Sequence, residues 1–501
     1  MESNIKIMSG NNIYYGRALD YCLLFIAGAL LLSMGLKAVF DIDRNFDSWA
    51  YHLPFAAKLW GIIPGEAYLL DGYWQPRFDG FGLLGEFFQG FFWFISGRPE
   101  TANLVAYFSL LIYFLFLKKY FKIPLHLSVL GLLAIPLVQI HATVSYVDLP
   151  SSIAMAVLIM TTYRSYVSSE PIKTADLIIL FVSAAIAANM RLQFVPIVFV
   201  VLCFTGYQLW IKSAKVYFES GRNSWLLFFL VALALLVIFA TPIKNLFLHG
   251  NPVYPVVVKI AGIELNHREL PPLEPSIPGN DLARPILWLY SLFETIPKPY
   301  FNGWSIGGGQ ETVGDQFGGY FGAYVILNIL LLLGLSYLNW AKETKLAVIA
   351  MVLMSVVVAL MPSSPRLRYY MFWMIVLVSL NFYLICNLAF SVAQARFLNS
   401  RNAGLISASV LSWVIIVTQG VYVRPYFYSF EEYYKKHVDF VLLKQIQDGD
   451  KVCIKIPREH EHWLFLYSSV FQRPLQYAIK SGSTAEDCNG WKMLEEVKVG
   501  S

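Results

Sequence analysis

Hydrophobic positions in this chain fall into long blocks, each followed by a short polar or aromatic turn. Eleven blocks approach the ~20 residues a helix needs to cross a bilayer. They lie near 18–40, 101–117, 123–141, 150–166, 176–190, 194–211, 225–247, 318–340, 345–362, 370–388 and 404–422. The pattern predicts an all-α, polytopic membrane protein with about 11 transmembrane helices. Two further apolar stretches read differently. In "FDSWAYHLPFAAKLW", residues 46–60, helical spacing puts Trp49, Leu53, Ala56, Ala57 and Trp60 on one arc, with Asp47, Tyr51 and Lys58 opposite. Pro54 would kink this segment or start a second helix. In "GFGLLGEFFQGFFWFIS", residues 80–96, Gly82, Glu86, Gln89 and Trp93 form a narrow strip, while Leu84, Phe87, Phe88, Phe91 and Ile95 cover the other side. Both are expected to lie along the membrane surface, the second with its polar strip outward and its aromatic face in lipid.

Between the blocks lie three external segments, 41–100, 142–150 and 242–317, and a polar tail, 423–501. Residues 1–422 are thus expected to form the membrane domain and 423–501 a small external α/β appendage, because "DKVCIKI" alternates in the manner of a strand. Cys453 and Cys488 both fall in that tail, where an oxidising compartment permits a disulfide. Segment 242–317 is dense in Pro and Gly, and a loop of that length in a membrane protein is usually functional or mobile; it would either close over a bound ligand or form an ordered cap without ligand contact. The run "EHEH" at 459–462 has no spaced partner ligands and reads as a solvated charged surface, so no metal site is assigned.

Composition agrees with a membrane protein: 57% of residues are hydrophobic and 14% charged, against roughly a quarter charged in soluble domains. The net charge of +5 is scattered between blocks and forms no basic face, which argues against a nucleic-acid partner. The Lys and Arg of short loops set the orientation. With the N-terminus cytoplasmic, 14 of them lie inside and three outside, so the C-terminus is expected to be extracytoplasmic. Asn-x-Ser/Thr sequons are absent, which leans toward a bacterial inner or plasma membrane.

The chemistry concentrates at the external ends of the helices. Asp47 follows the first block, and Asp148, in "YVDLP", is the only acid of the second external loop. The three external arginines, Arg191, Arg366 and Arg368, stand where positive charge is otherwise rare. A guanidinium fork matches a phosphate, so a lipid-linked phosphate or an anionic headgroup would explain them; pairing with external acids or snorkelling would do so equally. In sugar transfer from a lipid-linked phosphate, the leaving group needs positive charge and the acceptor hydroxyl needs a base.

The Asp-x-x-x-Tyr-His pattern of Asp47, Tyr51 and His52, the aromatic stretch closing with "FISGRPETANLVAYF", and "YVDLP" resemble the GT-C superfamily of membrane glycosyltransferases. The likeness is to the branch that includes protein O-mannosyltransferases and the lipid A aminoarabinose transferase. It covers roughly residues 18–210, with an external Arg-Tyr cluster, Arg366, Arg368 and Tyr369, before a late block. This resemblance implies a polyprenyl-phosphate-linked or polyprenyl-pyrophosphate-linked sugar donor and a glycan, lipid or protein acceptor. It implies Asp47 as catalytic base and Asp148 as its partner, orienting the acceptor or binding a divalent cation. Tyr51, His52 and Glu86 would line the cavity, and the arginines would contact phosphate. The usual Asp-Glu or Asp-Asp pair of the first loop reads "DS" here, with Asp41 and Asp43 upstream. The rival expectations are a multi-pass transporter or lipid flippase and a polysaccharide polymerase or ligase of the cell envelope. Transporters carry ionisable or helix-breaking residues at mid-membrane in paired halves, which this chain lacks.

Overall fold

The computed structural model describes residues 3–70, 73–214, 224–256, 259–260, 263–264, 282–293, 319–388, 397–455, 458–482 and 487–495. Most of the Pro- and Gly-rich segment expected to close over a ligand or form a cap lies outside them. The first half holds α1 (Ser3–Phe40), a π-helical turn (Ser48–His52), α2 (Leu53–Leu59), α3 (Gln75–Gly80), α4 (Leu84–Ser96) and α5 (Leu104–Phe121). There follow α6 (Leu125–Leu133), α7 (Pro136–His141), α8 (Asp148–Val167), α9 (Thr174–Met190), α10 (Val195–Leu209), α11 (Ser224–Ile238) and α12 (Ala240–His249). A short hairpin, β1 (Lys259–Ile260) with β2 (Ile263–Glu264), precedes α13 (Arg284–Phe293), α14 (Gly322–Leu338), α15 (Lys342–Leu360), α16 (Phe372–Asn387) and α17 (Ser400–Val417). The tail contributes α18 (Phe430–His437), α19 (Phe440–Leu443), β3 (Lys451–Lys455), β4 (Ala478–Ser481) and β5 (Lys492–Glu495).

Helix forms in each of the eleven apolar blocks because a backbone in lipid must satisfy its own hydrogen bonds. Among the described residues, five stretches are long and apolar enough to cross: Ala18–Phe40, Pro99–Phe121, Leu192–Lys212, Lys342–Leu360 and Ser400–Val417. A sixth arises if α11 and α12, which meet at a 73° bend, count as one span. α9, α14 and α16 are apolar but shorter. Length and apolarity therefore define several spans of an integral, multi-pass protein and leave the predicted count of 11 unreached. Block 123–141 is broken at Pro136, which cannot continue the hydrogen-bond ladder of α6. Helices α1, α5, α6, α8–α10 and α14–α17 share one large apolar core.

The two amphipathic segments need correction. α4 has 13 residues, so at 1.5 Å per residue it reaches only ~20 Å of a ~30 Å hydrocarbon layer. Phe87, Phe88, Phe91 and Ile95 are exposed as expected, joined by Phe94, while Leu84 is half-buried; Glu86, Gln89 and Trp93 are buried against protein, not turned to water. Pro54 does open a new helix, α2, at its second residue. The arc containing Trp49, Leu53 and Ala57 is covered by the tail, with which it forms a second core that includes Tyr433, Phe465 and Ile479. The tail and the first loop thus share one apolar interior. Strands β4, β3 and β5 form a parallel sheet in that order, Tyr68 bridges Ile479 beside it, and Cys453 is disulfide-bonded to Cys488.

Gly90 sets how closely α4 lies on α2. A Cβ there would collide with Trp60 Cδ1 and stand 2.7 Å from the Ala56 carbonyl oxygen. Gly90→Ala should therefore cost about 1–3 kcal/mol through overpacking, read as a lower Tm in detergent.

Candidate functional site

The site is built where α1, α8, α9 and the turn before α16 end together. Asp41 receives the Tyr426 and Tyr428 backbone N–H groups, at 2.9 Å and 3.2 Å, and pins the end of α1 to the tail. Two residues on, buried Asp43 accepts hydrogen bonds from Asn45, Ser48 and the backbone N–H of Ser145. Burial pushes this carboxyl up from its ordinary pKa, more than those hydrogen bonds pull it down. The Trp49 indole donates to the Asp43 carbonyl at 2.6 Å, which anchors the π-helical turn that follows Asp47.

Asp47 and Asp148 each meet a guanidinium. Arg368 Nη2 donates to Asp47 Oδ2 at 3.0 Å, and Arg191 Nη1 donates to Asp148 Oδ1. The Asp47–Arg368 pair keeps 21% and 15% of its side-chain surface exposed, whereas Asp148 and Arg191 keep 5% and 10%. Arg191 also lies 4.3 Å from the centre of the Tyr369 ring. Arg366 Nη1 and Arg368 Nη2 donate to Tyr369 Oη at 3.2 Å and 3.4 Å. One phenol is therefore ringed by three guanidinium groups. Burial would raise its pKa, yet Arg368, Arg366 and Arg191 together hold it below the ordinary value. Asp148, just ahead of apolar block 150–166, shows the same contest: burial raises its pKa, but Arg191 and Arg368 bring it down to about 2. The Arg191 guanidinium thus favours the ionised form of Asp148.

The short helix Leu367–Tyr370, which carries Arg368 and directly follows Arg366, is held from two sides. Tyr320 Oη donates to the carbonyls of Leu367 and Tyr370 at 2.8 Å, and Tyr370 Oη donates to the Pro362 carbonyl at 2.6 Å. On the opposite side the Asp47 backbone N–H donates to Tyr146 Oη at 3.3 Å, and Arg368 lies 5.3 Å from the Tyr146 ring.

The structure brings Asp47, Asp148, Arg191, Arg366, Arg368 and Tyr369 into one ionic cluster. Tyr51 borders it, stacked on Trp74 at 4.9 Å. His52 and Glu86 form an adjoining buried pair, Nδ1 to Oε1 at 2.7 Å, with the His52 ring 5.5 Å from that of Tyr146. Of the three arginines, two are taken by acids; Arg366 has no carboxylate partner among the described residues. Tyr146 was not singled out from the sequence, although it stands in the quoted "YVDLP" two residues before Asp148. Asp43 was seen only as an upstream acid, and nothing in its spacing marked it as the link between two loops.

The fold is a helical bundle with acids and arginines gathered at one set of helix ends, amphipathic α4 packed beside them and a small α/β unit in the tail. Among solved structures it is similar to ArnT from Cupriavidus metallidurans bound to undecaprenyl phosphate, over 93% of this chain and 87% of that one. The TM-score is 0.50 and the sequence identity 9%, so the likeness is one of fold. No protein-family model matches the chain, and no curated protein matches it at a significant level.

Proposed function

We propose that the protein is an integral membrane glycosyltransferase that moves a sugar from a polyprenyl-phosphate-linked donor to an acceptor on the extracytoplasmic face, with inversion at the anomeric carbon. The observation that carries this reading is the meeting of Asp47 with Arg366, Arg368 and Tyr369 at one end of a GT-C-like bundle. That the structurally similar ArnT is bound to undecaprenyl phosphate supports a lipid phosphate as the ligand of the arginines.

Within this proposal Asp47 is the base. Its Oδ2 is held by Arg368, and its Oδ1 carries no hydrogen bond among the described residues. The acceptor hydroxyl gives its proton to Asp47 as its oxygen bonds to the anomeric carbon from the side opposite the phosphate. The bond from that carbon to the phosphate oxygen breaks, and the electron pair leaves on the lipid phosphate. Arg366, which meets no acid among the described residues, stabilises that charge, with the Arg368 guanidinium beside it. Asp148 is too well stabilised by Arg191 to act as base, so its part is to hold Arg191 against Tyr369. Tyr51 and Trp74 offer an aromatic wall, and the His52–Glu86 pair supports it from behind.

A divalent cation does not fit the described residues. Asp47 and Asp148 each face a guanidinium, and no group of three or more His, Cys, Asp or Glu among the described residues converges to hold a metal ion.

The test is transfer of radiolabelled sugar from synthetic polyprenyl-phosphate donors by purified protein in detergent or nanodiscs. Labelled acceptor with inverted anomeric configuration is the expected product. Retention of configuration would remove the single-displacement mechanism, and movement of intact donor across vesicles without transfer would favour a flippase.

A further inference from the structure

The two loops that carry Asp47 and Asp148 are far apart in the chain, so something other than chain connectivity must hold the acids in register. Asp43 is placed to do this. Its Oδ1 receives the backbone N–H of Asn45 at 3.0 Å and that residue's side-chain amide at 2.6 Å. Its Oδ2 receives the Ser48 hydroxyl and, from the other loop, the Ser145 backbone N–H at 2.7 Å. Four donors occupy the carboxylate, which has two oxygens and about four acceptor positions. Nothing is left over for substrate.

Ser145 is a node on its own side. Its carbonyl accepts from Gln89 Nε2 at 2.6 Å, and its hydroxyl donates to Asn103 Oδ1 at 2.7 Å. The Asn103 amide in turn donates to the Asp41 carbonyl at 2.9 Å, which closes a ring of hydrogen bonds between the first loop, α4, the start of α5 and the second loop. Tyr146 and Asp148 follow Ser145 directly, and Ser48 opens the turn that carries Tyr51 and His52.

We infer that Asp43 is a positioning residue: by joining the Asn45–Ser48 segment to Ser145 it sets the separation of Asp47 from the Asp148–Arg191 pair, without touching substrate. The inference rests on the glycosyl-transfer reading for its catalytic consequence, but its structural half stands by itself. An Asn at this position keeps the shape and replaces one acceptor oxygen by a donor, which must then face the N–H or hydroxyl groups now bound there.

Asp43→Asn, purified alongside the unaltered protein, tests both halves. Hydrogen exchange read by mass spectrometry should quicken about tenfold or more in 43–52 and in 142–148 together, while α8 and α16 keep their protection. In the transfer assay kcat should fall about 100-fold, as expected when reacting groups move by about 1 Å. The KM for the polyprenyl-phosphate donor should stay within about threefold, because Arg366 and Arg368 are untouched. Ser48→Ala, which removes one of the four donors, keeps the test alive if Asp43→Asn misfolds; it should quicken exchange in the same two segments by about fivefold. Loosening of only one segment would overturn the inference, as would loosening of both with kcat unchanged. If the unaltered protein transfers no sugar, the glycosyl-transfer reading fails, and the exchange measurement still decides whether Asp43 joins the loops.

Discussion

Asp47→Asn should lower sugar transfer by about 10²–10⁴-fold, the contribution of a positioned general base, while the protein still elutes as a folded species in detergent. The substitution is nearly isosteric. The Asn carbonyl oxygen can still accept from Arg368 Nη2, which now bonds Asp47 Oδ2 at 3.0 Å, so the loop keeps its anchor. What disappears is the ability to take a proton from the acceptor hydroxyl. Stability should change little, because the Arg368 hydrogen bond is kept and the Arg368 guanidinium still has Tyr369 Oη beside it. The KM for the donor should be nearly unchanged, since Asp47 holds no phosphate in the proposed reaction. Normal turnover by the variant would take Asp47 out of the role of base.

Arg191→Ala and Arg366→Ala should fail in opposite ways. Arg191 and Asp148 are both buried, so removing the guanidinium strands a carboxylate in the interior. Such a loss costs about 3–5 kcal/mol, seen as a large drop in Tm or in the yield of monodisperse protein. Arg191→Lys should recover only part of it, because an ammonium cannot spread over the Tyr369 ring as the planar guanidinium does at 4.3 Å. Arg366→Ala removes no ion pair among the described residues, only a hydrogen bond to Tyr369 Oη, so Tm should hold. Its donor KM should rise about 10–100-fold, the worth of one charged hydrogen bond to phosphate. Equal destabilisation by both variants would show that Arg366 has a structural duty like that of Arg191, and an unchanged donor KM would remove Arg366 as a phosphate ligand.

Arg368 and Arg191 proved to be the partners of Asp47 and Asp148, and which acid takes which arginine is set by contacts such as that between Arg368 and Asp47, 321 residues apart. No local pattern carries that information. The strip Glu86, Gln89 and Trp93 was legible as a face of α4, but its direction was not. Periodicity says that a helix has two unlike faces; what covers each depends on neighbours, here His52 and the carbonyl of Ser145. In the same way the arc Trp49, Leu53 and Ala57 was visible as apolar, and only the tail that folds over it made it an interior.

The sequence by itself determined that this is a helical, multi-pass membrane protein with acids and arginines gathered at one set of helix ends. Those properties are written in block length, composition and charge bias, which act through the solvent each residue prefers. The tertiary structure alone decided the pairings: Asp47 with Arg368, Asp148 with Arg191, Asp43 with Ser145, and Arg366 with no acid among the described residues. A hydrogen bond or ion pair depends on distances of a few ångströms between segments hundreds of residues apart, and only the packed chain sets those distances.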